Sequence, residues 1–263
     1  MSTIRAMHPD LHPQSSGVKL GDATITLESV GETGSTNADL LARVASLSGP
    51  VLLVAEHQTA GRGRAGRSWL GKPGASLTFS LAWKFEGSAS RLIGLPLAVG
   101  VALAETLNAL AVPVQLKWPN DVLKDGQKLA GILIETRSVG QATWAVVGIG
   151  LNLLLPQELE QDIGRSAAQA PALAQMQRPQ LLALLSTALK AMLVEFDACG
   201  FGAFQLRWNR LHAWHGQAVA IIDHGQLLHE GHCGGVDELG RLLLETAGGP
   251  VKIVSGDVSL RLQ

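Results

Sequence analysis

The alternation of apolar and polar positions divides this chain into many short strands and a few helices. From Ile25 to Val30 a short strand leads into GETGSTNADLLARVAS, where Ser35 or Thr36 can cap a helix whose apolar face carries Leu40, Leu41 and Val44. VLLVAEH, residues 51–57, has the pattern of a buried strand, and ASLTFSLAW, residues 75–83, alternates in part and is rich in Leu, Phe and Trp. Residues 89–111 predict a long apolar helix interrupted near Pro96, and VQLKWPNDV predicts a strand ending in a turn. KLAGILIETR and QATWAVVGIGLNL are apolar runs separated by Ser138, Val139 and Gly140, which predicts an antiparallel hairpin.

After Pro156 the composition shifts to Gln, Ala and Pro; then Leu182, Leu185, Leu189, Met192 and Phe196 fall at helical spacing, and a shorter helix follows through Phe204 and Trp208. From about His215 the pattern changes to closely spaced strands with Gly-rich turns: AVAII, QLLHEGHCGGV, LGRLLLET, PVKIV and VSLRL. The expected organisation is a mobile or loosely packed tail over 1–24, a main domain over 25–214 with a mixed, largely antiparallel sheet flanked by helices, and a small β domain over 215–263. A domain of that size leans on its neighbour for stability.

Composition narrows the picture. The chain has 263 residues, 46% hydrophobic and 16% charged, enough for a substantial core. A formal net charge of −1 gives no global attraction to nucleic acid or an anionic membrane, so any basic function must be local. No apolar run approaches the roughly 20 residues that span a bilayer, and the opening MSTIRAMHPDLHPQSSG lacks the basic-then-apolar layout of a secretory signal. Cys199 and Cys233 show neither metal-ligand spacing nor a disulfide framework, which suits a reducing compartment; the cytoplasm is the expected location.

Against this neutral background GRGRAGR, residues 61–67, stands out. Its glycines permit close backbone approach, and Arg62, Arg64 and Arg67 present planar forks suited to phosphate or carboxylate oxygens. It lacks a Walker ending, and by itself it reads equally as a solvated loop or a nucleic-acid tether. KWPND, residues 117–121, offers Asp121 for a magnesium ion or a substrate amine and Lys117 for a phosphate, or else a plain turn with a core tryptophan. In KLAGILIE, Lys128 is either a ligand or an edge-protecting charge, and Gly131 marks a place where a ligand can approach the strand. In GIGLN, residues 148–152, a flat ring could lie on bare backbone, or the glycines could form a bulge. Ser35, Thr36 and Asn37 form a helix cap whose backbone amides offer an anion site. His224, His229, His232 and Cys233 lack a recognised metal spacing, and Trp144 reads as core.

The order of these motifs says more than any one of them. With GSTN, EHQTAGRGRAGRSW, KWPNDV, KLAGILIE and GIGLN in succession, the chain resembles the biotin protein ligases, through specific motifs over about residues 30–155 and more loosely through RWNRL and the strands ending in VSLRL. The resemblance implies a class II synthetase-like α+β catalytic domain with a C-terminal SH3-like β-barrel, acting on biotin and ATP with Mg2+. It implies biotin contacts at Ser35, Thr36, Asn37, Gln58, Gly61, Arg62, Gly63, Arg64, Lys128 and Gly131, and nucleotide contacts at Arg64, Trp69, Lys117, Asn120, Asn152 and Arg261. Catalytic roles would fall to Arg62, Arg64, Lys128 and Asp121, with Asp121 also near the metal and the incoming amine. The implied partner is the biotin carboxyl carrier protein of acetyl-CoA carboxylase or a related carboxylase, with no membrane; relatives of both monomeric and homodimeric form leave oligomeric state open. Two departures matter: only about 30 residues precede the ligase motifs, where some relatives carry a DNA-binding domain, so no DNA partner is expected; and Ala65 stands where several relatives have another arginine. A lipoate ligase, or a noncatalytic nucleic-acid-binding loop, are the alternatives.

Overall fold

The computed structural model describes residues 14–18, 25–163, 167–223, 225–256 and 258–263. In chain order its elements are β1 (Gln14–Val18), β2 (Ile25–Thr33), α1 (Thr36–Arg43), β3 (Val51–Gln58), β4 (Ser76–Glu86), α2 (Leu95–Ala109), β5 (Gln115–Lys117), β6 (Asp121–Lys124), β7 (Gln127–Val139) and β8 (Ala142–Asn152). Four helices follow, α3 (Gln157–Ile163), α4 (Pro171–Ala174), α5 (Arg178–Cys199) and α6 (Gln205–Leu211), and then β9 (Ala218–Asp223), β10 (Gln226–Val236), β11 (Leu242–Thr246), β12 (Gly249–Ile253) and β13 (Ser259–Leu262).

Strands β1 to β8 form one sheet in the order β1-β2-β3-β4-β8-β7-β6-β5, in which only β2 and β3 run parallel. The protein is therefore α+β with a mixed, mostly antiparallel sheet. Helices cover both faces. On one, α2 and α5 bury Leu97, Val101, Leu189 and Phe196 against Phe79, Leu81 and Ile132. On the other, Leu40 of α1 and Val44 in the 3-10 turn that follows it are buried against Leu53, Ala82, Trp144 and Val146. Each fully buried Leu, Val or Phe contributes about 1.5–3 kcal/mol, so this packing fixes where the sheet's remaining open surface lies.

Several sequence expectations change in detail. Pro96 does not interrupt a helix: a 3-10 turn spans Ala89–Leu92, Gly94 turns the chain with φ 83°, and Pro96 falls in the first turn of α2, where its missing N–H costs nothing. The combined stretch Ala89–Ala109 is long and apolar enough to cross a membrane by length and composition, contrary to the sequence reading; most of it is buried inside the protein, which accounts for its apolarity. WPN separates two strands, β5 and β6, and buried Trp118 donates its Nε1–H to the Gly240 carbonyl at 3.1 Å. Gln14–Val18, within the stretch expected to be a tail, pairs with β2, and the rest of residues 1–24 lies outside the described residues.

Strands β9 to β13 form a second, wholly antiparallel sheet in the order β12-β11-β10-β9-β13, the arrangement of a small C-terminal β-barrel domain. It is held to α6 by Asn209, whose Oδ1 accepts from Val236 N at 2.8 Å and whose Nδ2 donates to Val236 O at 3.1 Å.

Candidate active site

Register alone places the site. Gly131 faces Gly150 and Thr78 across β7, β8 and β4, Leu133 faces Gly148 and Ser80, and Asn152 faces Ser76. Directly opposed residues share a sheet face, so the two glycines of GIGLN open a shallow trough on the α1 side of the sheet. The pairing of β8 is continuous, without the bulge that these glycines could have signalled. A methyl group at Gly148 would overlap Asn37 Oδ1, and one at Gly150 would overlap the Trp69 indole. The flat ring expected on bare backbone is thus the protein's own Trp69.

A cavity of about 690 Å3, counting its open part, lies over this trough. Its lining includes Ser35, Thr36, Asn37, Gln58, Arg62, Gly63, Arg64, Trp69, Asn120, Asp121, Lys128 and Gly131, so twelve of the residues predicted for the site meet there although they come from five separate segments. A second cavity shares Ser68, Trp69 and Lys128 with the first and adds Asn152, Ile163 and Ala167. Gly61 lies beneath the loop, its backbone carbonyl accepting from Trp69 N at 2.9 Å.

At one end of the first cavity Ser35 caps α1, its Oγ accepting from Ala38 N at 3.5 Å. Thr36 N donates to Gln58 Oε1 at 2.8 Å, and Thr36 Oγ1 lies 3.0 Å from that oxygen and 2.6 Å from Ser80 Oγ. Ser80 Oγ donates to Asn37 Oδ1 at 2.6 Å, and Asn37 Nδ2 donates to Glu135 Oε2 at 2.9 Å. This corrects the expected anion site at the helix cap, because Gln58 and Ser35 already occupy the Thr36 and Ala38 amides. What results is a buried polar network on an otherwise apolar sheet, rigid because nearly every member is satisfied within the protein.

The arginine loop is a tight hairpin. Arg62 and Ser68 bridge, Arg67 N donates to Arg64 O at 3.2 Å, and Ala65 (φ 53°) and Gly66 (φ 68°) occupy the left-handed region, as a type I′ turn requires. Arg62 Nη2 lies 3.2 Å from Glu135 Oε2. Arg64 donates through Nη1 to Asn120 Oδ1 at 3.2 Å and through Nη2 to the carbonyl of Gly256, in the C-terminal domain. Asn120 is itself fixed by donating to Ile132 O at 2.8 Å.

At the junction of the two cavities Lys128 forms an ion pair with Asp121, and its ammonium stands 5.8 Å from the Trp69 ring centroid. Both partners are largely buried, with side-chain exposures of 21% and 17%, so Lys128 is not an edge-protecting charge. The first cavity is lined by four cationic side chains, Arg62, Arg64, Arg67 and Lys128, against one carboxylate, Asp121. Such a surplus suits two anions that must approach one another. In the second cavity Trp69 Nε1 and Asn152 Oδ1 are buried without hydrogen-bond partners, as groups awaiting a ligand would be.

Two predicted residues lie elsewhere. Lys117 lines neither cavity and stands 4.6 Å over the Trp214 ring, a cation–π contact. Arg261 is exposed on β13, opposite Ala220, and also lines neither cavity. Sequence reasoning gave no role to Glu135, although it closes KLAGILIE, or to Ser80, whose only signal is its even spacing from Thr78 along a strand already identified. His224 lies outside the described residues, and among the described residues no group of three or more His, Cys, Asp or Glu side chains is placed to hold a metal.

Comparison with known proteins agrees with this arrangement. Residues 29–152 match the Biotin/lipoate A/B protein ligase family and residues 215–261 the Biotin protein ligase C terminal domain. The chain is 37% identical to the biotin--[acetyl-CoA-carboxylase] ligase of Mycobacterium tuberculosis, over 88% of this chain and 88% of that protein. It is 36% identical to the bifunctional ligase/repressor BirA of Escherichia coli, over 86% of this chain and 71% of that protein. Among solved structures, the biotin protein ligase of Aquifex aeolicus in complex with biotin and ATP superposes with a TM-score of 0.75 at 29% identity, over 90% of this chain and 99% of that one. With its two-sheet fold, the cationic cavity over a glycine trough and these matches together, the chain belongs to the biotin protein ligases of the biotin/lipoate A/B family.

Proposed function

We propose that this chain joins biotin to a protein lysine in two steps, using residues 25–214 as the catalytic unit and 215–263 as a smaller accessory unit. In the first, a biotin carboxylate oxygen attacks the α-phosphorus of ATP, the bond from that phosphorus to the β-phosphate bridging oxygen breaks, and pyrophosphate leaves. The observation that carries this reading is the position of Lys128, shared by the two cavities, the first of which Arg62 and Arg64 also line. A fixed ammonium at that junction offsets the repulsion between carboxylate and phosphate.

The buried network of Ser35, Thr36, Asn37 and Gln58 supports the first cavity as the place for biotin's cyclic urea, which presents both donors and an acceptor. The unpartnered Trp69 Nε1 and Asn152 Oδ1 support the second as the nucleotide side. Asp121, already paired with Lys128, is among the described residues the only carboxylate lining the first cavity, too few donors for a resident metal site; Mg2+ therefore enters as part of the nucleotide substrate, bound chiefly by phosphate oxygens.

In the second step the lysine amine of a carrier domain attacks the acyl carbon, the bond to the AMP oxygen breaks, and Asp121 takes the proton that the amine loses. The carrier domain of acetyl-CoA carboxylase is the proposed acceptor and the cytoplasm the proposed location, where ATP is available and thiols stay reduced. Pyrophosphate exchange into ATP tests the reading: we expect exchange that depends on biotin. Exchange supported by lipoate and not by biotin would move the chain to the other branch of its family, and no exchange with either would sink the assignment.

A further inference from the structure

The last residue of KLAGILIE, Glu135, is a carboxylate for which the proposed chemistry has no role. It stands on β7, and one of its oxygens, Oε2, meets two residues that line the first cavity: Asn37 Nδ2 at 2.9 Å and Arg62 Nη2 at 3.2 Å. The Asn37 end is immobile, because that side chain is only 3% exposed, accepts from Ser80 Oγ, and seats on the bare backbone of Gly148. The Arg62 end is on the hairpin, with 45% of its side chain exposed, against 27% for Glu135. One carboxylate oxygen thus ties the pocket wall to the loop that rims it.

We propose that Glu135 is a positioning residue for the arginine loop: it is the counter-ion that moors Arg62 at the cavity mouth before substrate arrives, and it yields that guanidinium to the anionic ligand. The inference rests on the biotin and adenylate reading for the identity of that anion, and on the geometry alone for the mooring. A half-exposed ion pair is worth at most about fivefold in an equilibrium, which holds a loop without locking it. That weakness fits a loop that must cover an intermediate and then release it to a carrier protein.

Limited trypsin digestion of the ligand-free full chain tests the mooring, since cleavage after Arg64 or Arg67 requires the hairpin to open. Glu135→Gln keeps an oxygen for Asn37 and removes the charge that holds Arg62. We expect cleavage in the loop to be about threefold to fivefold faster in Glu135→Gln than in the unsubstituted protein, with an unchanged melting temperature. The same substitution should add nothing in an Arg62→Gln background, and raising salt should speed cleavage of the unsubstituted protein but not of Glu135→Gln. Equal cleavage rates would overturn the proposal. So would equal acceleration by Glu135→Gln with and without Arg62, which would mark Glu135 as support for Asn37 alone. Because no ligand is present, failure of biotin-dependent exchange would count against the proposed function and not against this contact.

Discussion

Trp69 and Gly150 meet with no room between them: the indole rests on the bare backbone of β8, where a methyl group would overlap its Cε2, Cζ2 and Nε1 atoms. The ring also forms the partition between the two cavities, since both include it in their walls. Gly150→Ala should therefore displace the indole, cost about 1–3 kcal/mol of stability and raise the KM for ATP about tenfold or more. Steady-state kinetics with a tryptophan emission spectrum checks this; unchanged KM and emission would show that the ring does not depend on the glycine.

Lys128 and Asp121 constrain one another through a largely buried ion pair. Lys128→Ala should abolish adenylate formation and, by leaving the Asp121 carboxylate without its partner, lower stability by about 1–3 kcal/mol. Combining it with Asp121→Asn should restore most of the stability and none of the exchange activity, a split that urea melts and pyrophosphate exchange read separately.

Arg64 reaches Asn120 and the Gly256 carbonyl from an outlying hairpin rather than from the core. Arg64→Gly should leave the melting temperature within a degree or two while biotinyl-AMP escapes about tenfold or more faster. A filter-binding chase of labelled adenylate measures the escape; retention equal to that of the unsubstituted protein would remove Arg64 from the role of holding the intermediate.

Burial, followed by the neighbouring His215, lowers the His212 imidazole to about 4 from an ordinary 6.5. The unfolded chain therefore binds a proton between those values that the folded chain refuses. Stability from this group is complete above about pH 6.5 and is lost as pH falls toward 4, by up to about 3 kcal/mol. In urea melts the midpoint of the unsubstituted protein should fall more steeply from pH 7 to pH 5 than that of His212→Gln, and parallel profiles would contradict the assignment.

Cys233 is buried, and burial pushes its thiol up to about 11, while Cys199 is exposed. A disulfide reagent at pH 8 should titrate one thiol quickly in the folded protein and the second only in denaturant. Two fast thiols would mean that the contact between β10 and α6 opens readily.

Most of the site was legible because its chemistry sits in contiguous motifs on strands with clear periodicity. Register then brings those motifs together: once β7 and β8 are read as a hairpin, Gly131 must face Gly150. What the sequence concealed was how polar side chains divide their attention. Asn37 reads as a ligand contact, yet its amide is bound to Ser80 and to Glu135, the last residue of KLAGILIE, and neither had been given a role. Lys117 lies in KWPND, yet it stands over the ring of Trp214, a partner nearly a hundred positions along the chain that no local pattern signals. Pro96 looked like an interruption because a sequence pattern does not distinguish a proline within a helix from one in its first turn.

The bond from Arg64 to Gly256 joins residues 192 positions apart. On a ribosome that adds residues in order, the hairpin and the glycine trough are complete long before the chain that anchors Arg64 has been made. A nascent chain thus carries an unanchored Arg64 until the segment that holds Gly256 has emerged.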